Sequence, residues 1–440
     1  MTSDRSLQNH DATSLVRVGI AEIPHAEIVF NGEYRMDSKV FSGAASFDAS
    51  YLPEGDSLFS SCSQEATFTV RDVTIGKDFH WQRSLDQTFR GSLLLRRRGS
   101  MLTVINILPV EWYLESVISS EMNADAPSEF LKAHAVISRS WLMAQIKGTC
   151  PQDDGEEGMT DTPETRVRWY DHSGHTGFDV CADDHCQRYQ GITDINESAR
   201  EAVIATRGEI LTFGDEICDA RFSKCCGGAF ETFENCWQPV PKGYLRPGPD
   251  TLPSAQLPDL SVEENARTWI MSRPEAFCAA PSGDILRKVL KDYDRSTRDF
   301  YRWKVEYTGI ELSDIIRRRS GVDFGEIIDL QPVVRGASGR IILLRVIGTR
   351  HTMTIGKELE IRRTLSRSHL YSSAFVVERS GLDSRGIPER FILHGAGWGH
   401  GVGLCQIGAA VMASQGHTYR RILSHYYPAT RITRVEANVE

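Results

Sequence analysis

One glutamate stands out in the sequence because it occupies a position where an apolar side chain is expected. The apolar spacing after residue 109 predicts a helix with one buried face, formed by Leu114, Val117 and Ile118. The next helical step along that face is Glu121, near the predicted end of the helix. Partial burial and the helix dipole both disfavour an ionised carboxylate there, which suits a general acid/base. A buried ion pair with Arg139 on the next predicted helix is the alternative.

A second group of residues combines histidines and cysteines within fifteen positions. The group consists of His172, His175, Cys181, His185 and Cys186. These are the ligand types that Zn²⁺ prefers, which favours a structural metal site. A Cys181–Cys186 disulfide and an unligated polar loop are the open alternatives.

The stretch HGAGWGHGVG has glycine at every second position from 395 to 403. This spacing excludes a dinucleotide fingerprint, and no Gly-Lys-Ser/Thr follows for a phosphate-binding loop. Dense glycine allows the backbone to approach a ligand closely, and Trp398 could stack on a sugar ring. The alternative is a tight strand-to-helix corner packed on the core.

The remaining cysteines leave two questions open. Cys405 lies five residues after His400, which raises the weaker possibility of a thiolate nucleophile. In the Cys-Cys-Gly-Gly segment, either Cys225 or Cys226 pairs with Cys236, or all three are buried thiols.

Composition excludes several classes of protein. The 440 residues carry a formal charge of −9, which argues against binding nucleic acid through bulk phosphate attraction. No segment approaches the roughly 18 uninterrupted apolar residues of a membrane helix, so an integral membrane protein is not expected. The first twenty residues lack the pattern of a secretory leader. The cysteine count does not identify the compartment.

The order of apolar patterns predicts an α+β fold: a β-rich scaffold with a helix pair and a helical insertion, in a single elaborated unit that follows an N-terminal β segment. Alternating segments between about 15 and 108 predict strands, and two helices in tandem follow. We predict four segments: an N-terminal β-rich region (1–100), a first part of the core (101–239), a helical insertion (240–299) and a second part of the core (300–440).

Three motifs resemble the stage II sporulation protein D/LytB family. They are LPVEWYLESVISSEMNADAPSEFLKAHAVISRSWLMA, RFSKCCGGAFETFENCW and HGAGWGHGVGLCQIGAAVMASQGHTYRRILSHYYPAT, in the family's order. They extend from Leu108 to Thr430 and leave out the insertion. His134 stands where the family has glutamine, and its place on the apolar face favours a core histidine.

The resemblance implies a peptidoglycan lytic transglycosylase that needs a single acid/base, for which the catalytic residue would be Glu121. A glycosidase that uses water would normally need a second carboxylate, and the sequence singles out none. The implied substrate-binding residues are Arg139, Trp398, His400, Gln406, Ser223 and Tyr426. The implied ligands of a structural Zn²⁺ are His175, Cys181, His185 and Cys186. No cofactor is expected to be required for catalysis.

The expected partners are peptidoglycan glycan strands and, in an alternative role, an N-acetylmuramoyl-L-alanine amidase. In that role the protein would be a non-catalytic amidase enhancer that binds the cell wall. The substrate implies the cell envelope or periplasm, although no leader is visible. A zinc hydrolase built on the histidine and cysteine cluster is a further competitor; it would lose activity to chelators and tolerate Glu121→Gln.

Overall fold

The computed structural model describes most of the chain, namely residues 14–76, 82–147, 159–170, 175, 177–183, 185–251, 256–279, 281–291 and 299–435. His172 lies outside these residues. The chain folds into two compact units. Unit 1 comprises Met1–Pro151, Gly174–Asp219 and Arg431–Glu440, and unit 2 comprises Gln152–Ser173 and Ala220–Thr430. The four segments predicted from the sequence stay predictions.

The strands, in chain order, are β1 (Leu15–Ile23), β2 (His25–Met36), β3 (Lys39–Asp48), β4 (Gly55–Ser61), β5 (Thr67–Ile75), β6 (Arg83–Arg90), β7 (Ser92–Arg98), β8 (Met101–Pro109), β9 (Thr160–Asp161), β10 (Thr165–Val167), β11 (Val180–Cys181), β12 (Glu209–Phe213), β13 (Glu216–Ile217), β14 (Phe222–Ser223), β15 (Ala229–Phe230), β16 (Gly248–Pro249), β17 (Arg302–Thr308), β18 (Ile327–Arg335), β19 (Ile341–Gly348), β20 (Thr352–Gly356), β21 (Phe375–Leu382), β22 (Pro388–Ala396), β23 (Leu404–Cys405) and β24 (Arg431–Arg434). The α-helices are α1 (Val110–Glu121), α2 (Ser128–Ile146), α3 (Glu197–Ala205), α4 (Glu263–Met271), α5 (Gly283–Val289), α6 (Gly309–Ser320), α7 (Glu358–Thr364), α8 (Gln406–Ser414) and α9 (Tyr419–Tyr426). The predicted α+β class is confirmed.

Unit 1 is built on a nine-stranded sheet with the order β11-β1-β8-β7-β4-β2-β5-β6, in which β3 pairs with β2. Neighbouring strands are antiparallel except that β11 runs parallel to β1. The alternating pattern of the first hundred residues produces this sheet because every second side chain can then enter the core. Strand β8 leads directly into α1, so the sheet fixes where that helix begins.

Helix α1 is buried around most of its circumference, which goes beyond the single buried face predicted from the sequence. Ten of its twelve residues are buried, and the predicted stripe of Leu114, Val117 and Ile118 is fully inaccessible. Helices α2 and α3 pack against it. A helix enclosed in this way holds its polar side chains in fixed surroundings.

Unit 2 contains a five-stranded sheet, β18-β19-β20-β10-β9, and a three-stranded sheet, β17-β22-β21. Its main core includes Trp303, Phe324, Phe375 and Phe391. Strands β17, β19 and β22 and the closing helix α9 all belong to this unit. Among the described residues, no helix combines the length and apolar character needed to cross a membrane.

Candidate functional site

Glu121 is the last residue of α1, and its side chain is largely enclosed, with the residue 8% exposed. The backbone N–H of Arg188 donates a hydrogen bond to its Oε1 at 3.2 Å. In the part of the chain that the structure describes, Glu121 forms no ion pair. Within the described residues, the carboxyl group is therefore held by the main chain rather than by a cationic side chain.

Arg139 pairs with a different glutamate from the one considered in the sequence. Its Nε and Nη2 donate to the two carboxylate oxygens of Glu111 at 2.9 and 2.7 Å. Its remaining N–H groups point to backbone carbonyls, including that of Glu209 at 3.1 Å. The alternative of a Glu121–Arg139 ion pair is thus wrong. The role of Arg139 in substrate binding stays a prediction that this buried, fully engaged guanidinium does not favour.

Glu115, which the sequence did not single out, is a second buried carboxylate on α1. Burial raises the pKa of Glu115, and the cations of Arg200 and Arg90 act in the opposite direction. The carboxylate oxygens lie 3.9 and 3.5 Å from these two guanidinium groups. Of the three glutamates of α1, two therefore face arginines, whereas Glu121 does not.

The segment 187–190 runs alongside α1 and is buried along its whole length. Tyr113 donates to Oε1 of Gln187 at 3.4 Å, and the N–H of Gln190 donates to Oγ of Ser116 at 3.3 Å. Tyr189 donates its hydroxyl to Asn106 at 2.6 Å. These contacts fix the backbone of residue 188, so the N–H that contacts Glu121 has a defined position.

The four predicted zinc ligands come together immediately before that segment. The ligand atoms of His175, Cys181, His185 and Cys186 all lie within 4.8 Å of one another. The Sγ of Cys186 lies 3.7 Å from Nε2 of His175 and 3.7 Å from Nδ1 of His185. Cys181 and Cys186 are free thiols rather than a disulfide. Hydrogen bonding to Cys186 and the two histidines lowers the pKa of the Cys181 thiol against the effect of burial, and a thiolate is the form that binds metal.

In unit 2, the glycine-rich turn closes tightly around a buried arginine that the sequence did not indicate. Arg340 is fully inaccessible and donates to the carbonyl of Gly399 at 2.9 and 3.1 Å and to that of Cys226 at 3.2 Å. A Cβ at Gly401, where φ is +75°, would lie 2.5 Å from the guanidinium carbon. Glycine is needed here for close packing of the protein on itself, which favours the corner alternative.

The imidazole of His400 is engaged on both sides by backbone groups. Its Nε2 donates to the carbonyl of Phe222 at 2.8 Å, and its Nδ1 accepts from the N–H of Val402 at 3.0 Å. Burial, assisted by the charges of Arg221 and Arg340, lowers the pKa of His400 well below its usual value. The ring is therefore neutral and fixes the turn, and its predicted contact with substrate stays a prediction.

Trp398 belongs to the glycine-rich turn, and Ser223 packs against the same turn at Gly399. The Trp398 ring stacks on Phe300 with centroids 5.2 Å apart and meets Tyr371 edge-on at 4.8 Å. The hydroxyl of Ser223 is buried and has no hydrogen-bond partner among the described residues. Protein rings thus already cover part of Trp398, and the Ser223 hydroxyl is enclosed by the protein. Both substrate roles stay predictions.

Gln406 and Tyr426 are buried on the helices that follow the turn. Gln406 is the first residue of α8, and Tyr426 is the last residue of α9. The Tyr426 hydroxyl donates to Oδ1 of Asp250 at 2.9 Å. Their roles in substrate binding stay predictions, but the hydroxyl of Tyr426 is committed to a carboxylate inside unit 2.

The cysteines of unit 2 are buried thiols, as one of the two sequence alternatives stated. Cys226 lies beside Cys278, with the sulfur atoms 3.6 Å apart, and does not pair with Cys236. Cys236 instead donates to the carbonyl of His400 at 3.8 Å. Cys405 is fully inaccessible, so it is not placed to attack a polymer, and the thiolate nucleophile alternative is wrong.

Two family models match separate parts of the chain. Residues 98–213 match the family described as stage II sporulation protein, and residues 231–403 match a domain of unknown function, DUF8618. The first match contains α1, α2 and the histidine and cysteine cluster. The second contains most of unit 2, including the five-stranded sheet's β18, β19 and β20.

Similar proteins match along most of the chain. An uncharacterised protein of Brachyspira hyodysenteriae is 25% identical over 77% of this chain and 70% of its own length. The stage II sporulation protein D of Bacillus subtilis is 23% identical over 75% of this chain and 76% of its own. The amidase enhancer of Bacillus subtilis is 25% identical over 73% of this chain. The match covers only 40% of that relative's own length. The resemblance predicted from the motifs is confirmed: residues 98–213 match the stage II sporulation protein family, and relatives with that name are similar along most of the chain.

Proposed function

We propose that the protein is a lytic transglycosylase that cleaves the glycosidic bond between N-acetylmuramic acid and N-acetylglucosamine in peptidoglycan. The observation that carries the proposal is the state of Glu121, a largely enclosed carboxyl group at a helix end with a main-chain hydrogen bond and no cation beside it in the described structure. General acid/base catalysis needs a carboxyl group whose oxygens are not held by a cationic side chain, and among the described residues Glu121 meets this condition, whereas Glu111 is paired with Arg139.

One carboxyl group is sufficient for this reaction. Glu121 gives its proton to the glycosidic oxygen as the bond from that oxygen to C1 of the muramic acid breaks. The resulting carboxylate then takes the proton of the sugar's C6 hydroxyl while that oxygen bonds to C1, which closes a 1,6-anhydro ring and returns Glu121 to its starting state. No water is consumed, so a second catalytic carboxylate of the kind used by hydrolytic glycosidases is not needed.

The histidine and cysteine cluster suits a structural Zn²⁺ bound by His175, Cys181, His185 and Cys186. In a tetrahedral zinc site the bond lengths place sulfur and nitrogen ligands about 3.6 Å apart, close to the 3.7 Å separations at Cys186. A bound zinc ion would supply cross-linking of the loop and would take no part in proton transfer. Because Cys186 lies two residues before Arg188, fixing the cluster also fixes the N–H that contacts Glu121.

The substrate class sets the expected partners and location. Cleavage of glycan strands requires access to peptidoglycan, which implies the cell envelope or periplasm. Of the candidate groups in unit 2, the Trp398 ring, which is only partly covered, is the best suited to contact sugar, whereas the Ser223 hydroxyl is buried.

A non-catalytic amidase enhancer is the second candidate. It is favoured by the similarity to the amidase enhancer of Bacillus subtilis and by the engagement of Arg139 and His400 with the protein itself. In this role the protein would bind the wall and stimulate an N-acetylmuramoyl-L-alanine amidase without breaking glycosidic bonds.

The test is mass spectrometry of glycan digests, using strands with and without stem peptides. We expect 1,6-anhydro products from the wild type, and Glu121→Gln should reduce their rate at least about 100-fold because the acid/base is lost. Glu115→Gln is the matched control, since it removes a buried carboxylate from the same helix and should leave the rate largely unchanged.

Two other outcomes of this experiment would each identify a different function. Absence of anhydro products on both substrates, together with stimulation of a purified amidase, would establish the enhancer role. Products with reducing-end hydroxyl groups that persist in Glu121→Gln and vanish with a chelator would identify a zinc hydrolase.

A further inference from the structure

A second set of metal-binding side chains meets inside unit 2, outside the site described above. One donor atom each from Cys226, Asp250, Cys278 and Cys405 lies within 4.8 Å of every other. All four residues are almost completely inaccessible, with exposed fractions of 2% or less. Three thiols and a carboxylate thus share one small volume without solvent, which is costly unless a cation or protons neutralise them.

The separation between the sulfur atoms indicates what could bind there. The Sγ atoms of Cys226 and Cys278 are 3.6 Å apart. A disulfide would bring sulfur atoms to about 2.0 Å. Two sulfur ligands of one tetrahedral zinc ion lie about 3.8 Å apart, as follows from zinc–sulfur bonds of about 2.3 Å. The observed spacing therefore matches two ligands of a single ion.

The backbone around the set supplies hydrogen-bond donors that favour anionic sulfur and oxygen. The N–H groups of Cys226 and Gly408 donate to Sγ of Cys405 at 3.3 and 3.4 Å. The N–H of Cys278 and the hydroxyl of Tyr426 donate to the two carboxylate oxygens of Asp250 at 3.2 and 2.9 Å. Outer contacts of this kind orient metal ligands and stabilise their charged forms.

The packing at Gly408 shows that the start of α8 lies very close to Asp250 and Tyr426. A Cβ at Gly408 would collide with the Tyr426 hydroxyl and would lie 2.7 Å from Oδ2 of Asp250. Gly408 lies in the first turn of α8, whose preceding residue is Cys405. The helix start therefore approaches the carboxylate closely enough to bring sulfur and oxygen donors together.

We propose that unit 2 binds one structural Zn²⁺ through Cys226, Asp250, Cys278 and Cys405. The ion joins four segments that are far apart in sequence, so it stabilises the fold of unit 2. Cys225 lies within hydrogen-bonding reach of Cys278 and Cys405 as an additional neighbouring thiol. This site is independent of the histidine and cysteine cluster of unit 1 and of the proposed transglycosylase activity.

The test measures metal content of the purified full chain by elemental mass spectrometry. With both sites filled, the wild type should contain about two zinc ions, and Cys186→Ser and Cys278→Ser should each contain about one. Cys62→Ser, which replaces an exposed free thiol, is the control and should keep the wild-type content.

A second measurement does not depend on whether Cys278→Ser folds. The Cys186→Ser chain is refolded with Co²⁺ in place of zinc, and we expect tetrahedral cobalt bands with intense sulfur-to-metal absorption from the buried thiolates. Absence of zinc and of these cobalt bands in Cys186→Ser would overturn the proposal. A Cys226–Cys278 disulfide, seen as a mass lower by about 2 Da, or bound iron, would also overturn it.

Discussion

The two clusters of metal-type ligands differ in where their residues come from and in how closed they are. In unit 1, the residues come from one short segment: His175, Cys181 and Cys186 are partly accessible, and His185 is exposed. In unit 2, the donors span positions 226 to 405 and are sealed from solvent. Similar ligand chemistry is thus presented by a local loop in one unit and by the tertiary fold in the other.

This difference indicates that the two clusters have separate roles. The cluster of unit 1 continues directly into the buried segment 187–190, which holds Glu121, so its state bears on the candidate active site. The cluster of unit 2 joins the start of α8 to distant loops, so its state bears on the stability of that unit. The predictions below test that distinction.

The largest expected difference is in the rate of metal loss. A chelator reaches the accessible cluster directly, whereas the sealed cluster must first open at a cost of several kcal/mol. We expect zinc release from unit 2 to be at least about 100-fold slower than from unit 1. Zinc release can be followed with a chromogenic chelator in Cys186→Ser and in Cys278→Ser, since each variant retains one of the two clusters. Equal rates would show that the sealed cluster is not closed in solution.

A smaller effect is expected on glycan cleavage when the cluster of unit 1 is damaged. Cys186→Ser should reduce the rate of anhydro-product formation about 10-fold to 100-fold, because the backbone N–H beside Glu121 loses its fixed position. Initial rates on glycan, with Cys62→Ser as the matched cysteine control, measure this. A rate equal to that of the wild type would separate the cluster from the active site.

The smallest effect is expected from removal of a single hydroxyl. Tyr426→Phe deletes the donor to Asp250 and leaves a buried carboxylate oxygen with one partner fewer. We expect a loss of about 1–3 kcal/mol in the free energy of unfolding. Chemical denaturation measures it, and glycan binding measured in parallel should be unchanged. Weaker glycan binding with normal stability would instead support the predicted role of Tyr426 in substrate binding.

Local pattern is sufficient to predict the fold class and the helix pair α1 and α2. The apolar spacing placed Leu114 on a buried face of α1, and the same reasoning placed His134 in the core. His134 is a satisfied core histidine, with its Nδ1 3.2 Å from the hydroxyl of Ser138. These predictions succeeded because neighbours within two helical turns determine them.

Contacts between distant segments could not be predicted. Arg139 pairs with Glu111, 28 residues away, and nothing in either helix distinguishes this partner from Glu121. The dense glycines suggested an approach to ligand, yet they accommodate Arg340, which precedes them by about sixty residues. The unit 2 cluster was missed for the same reason, since its four donors meet only after folding.

The contact at Glu121 has a consequence for how position 188 can vary. Its donor belongs to the main chain, so a substitution that leaves the backbone in place preserves it, and proline alone lacks the group. Because residue 188 is buried, a side chain that displaces the backbone there would break the contact without touching Glu121 itself.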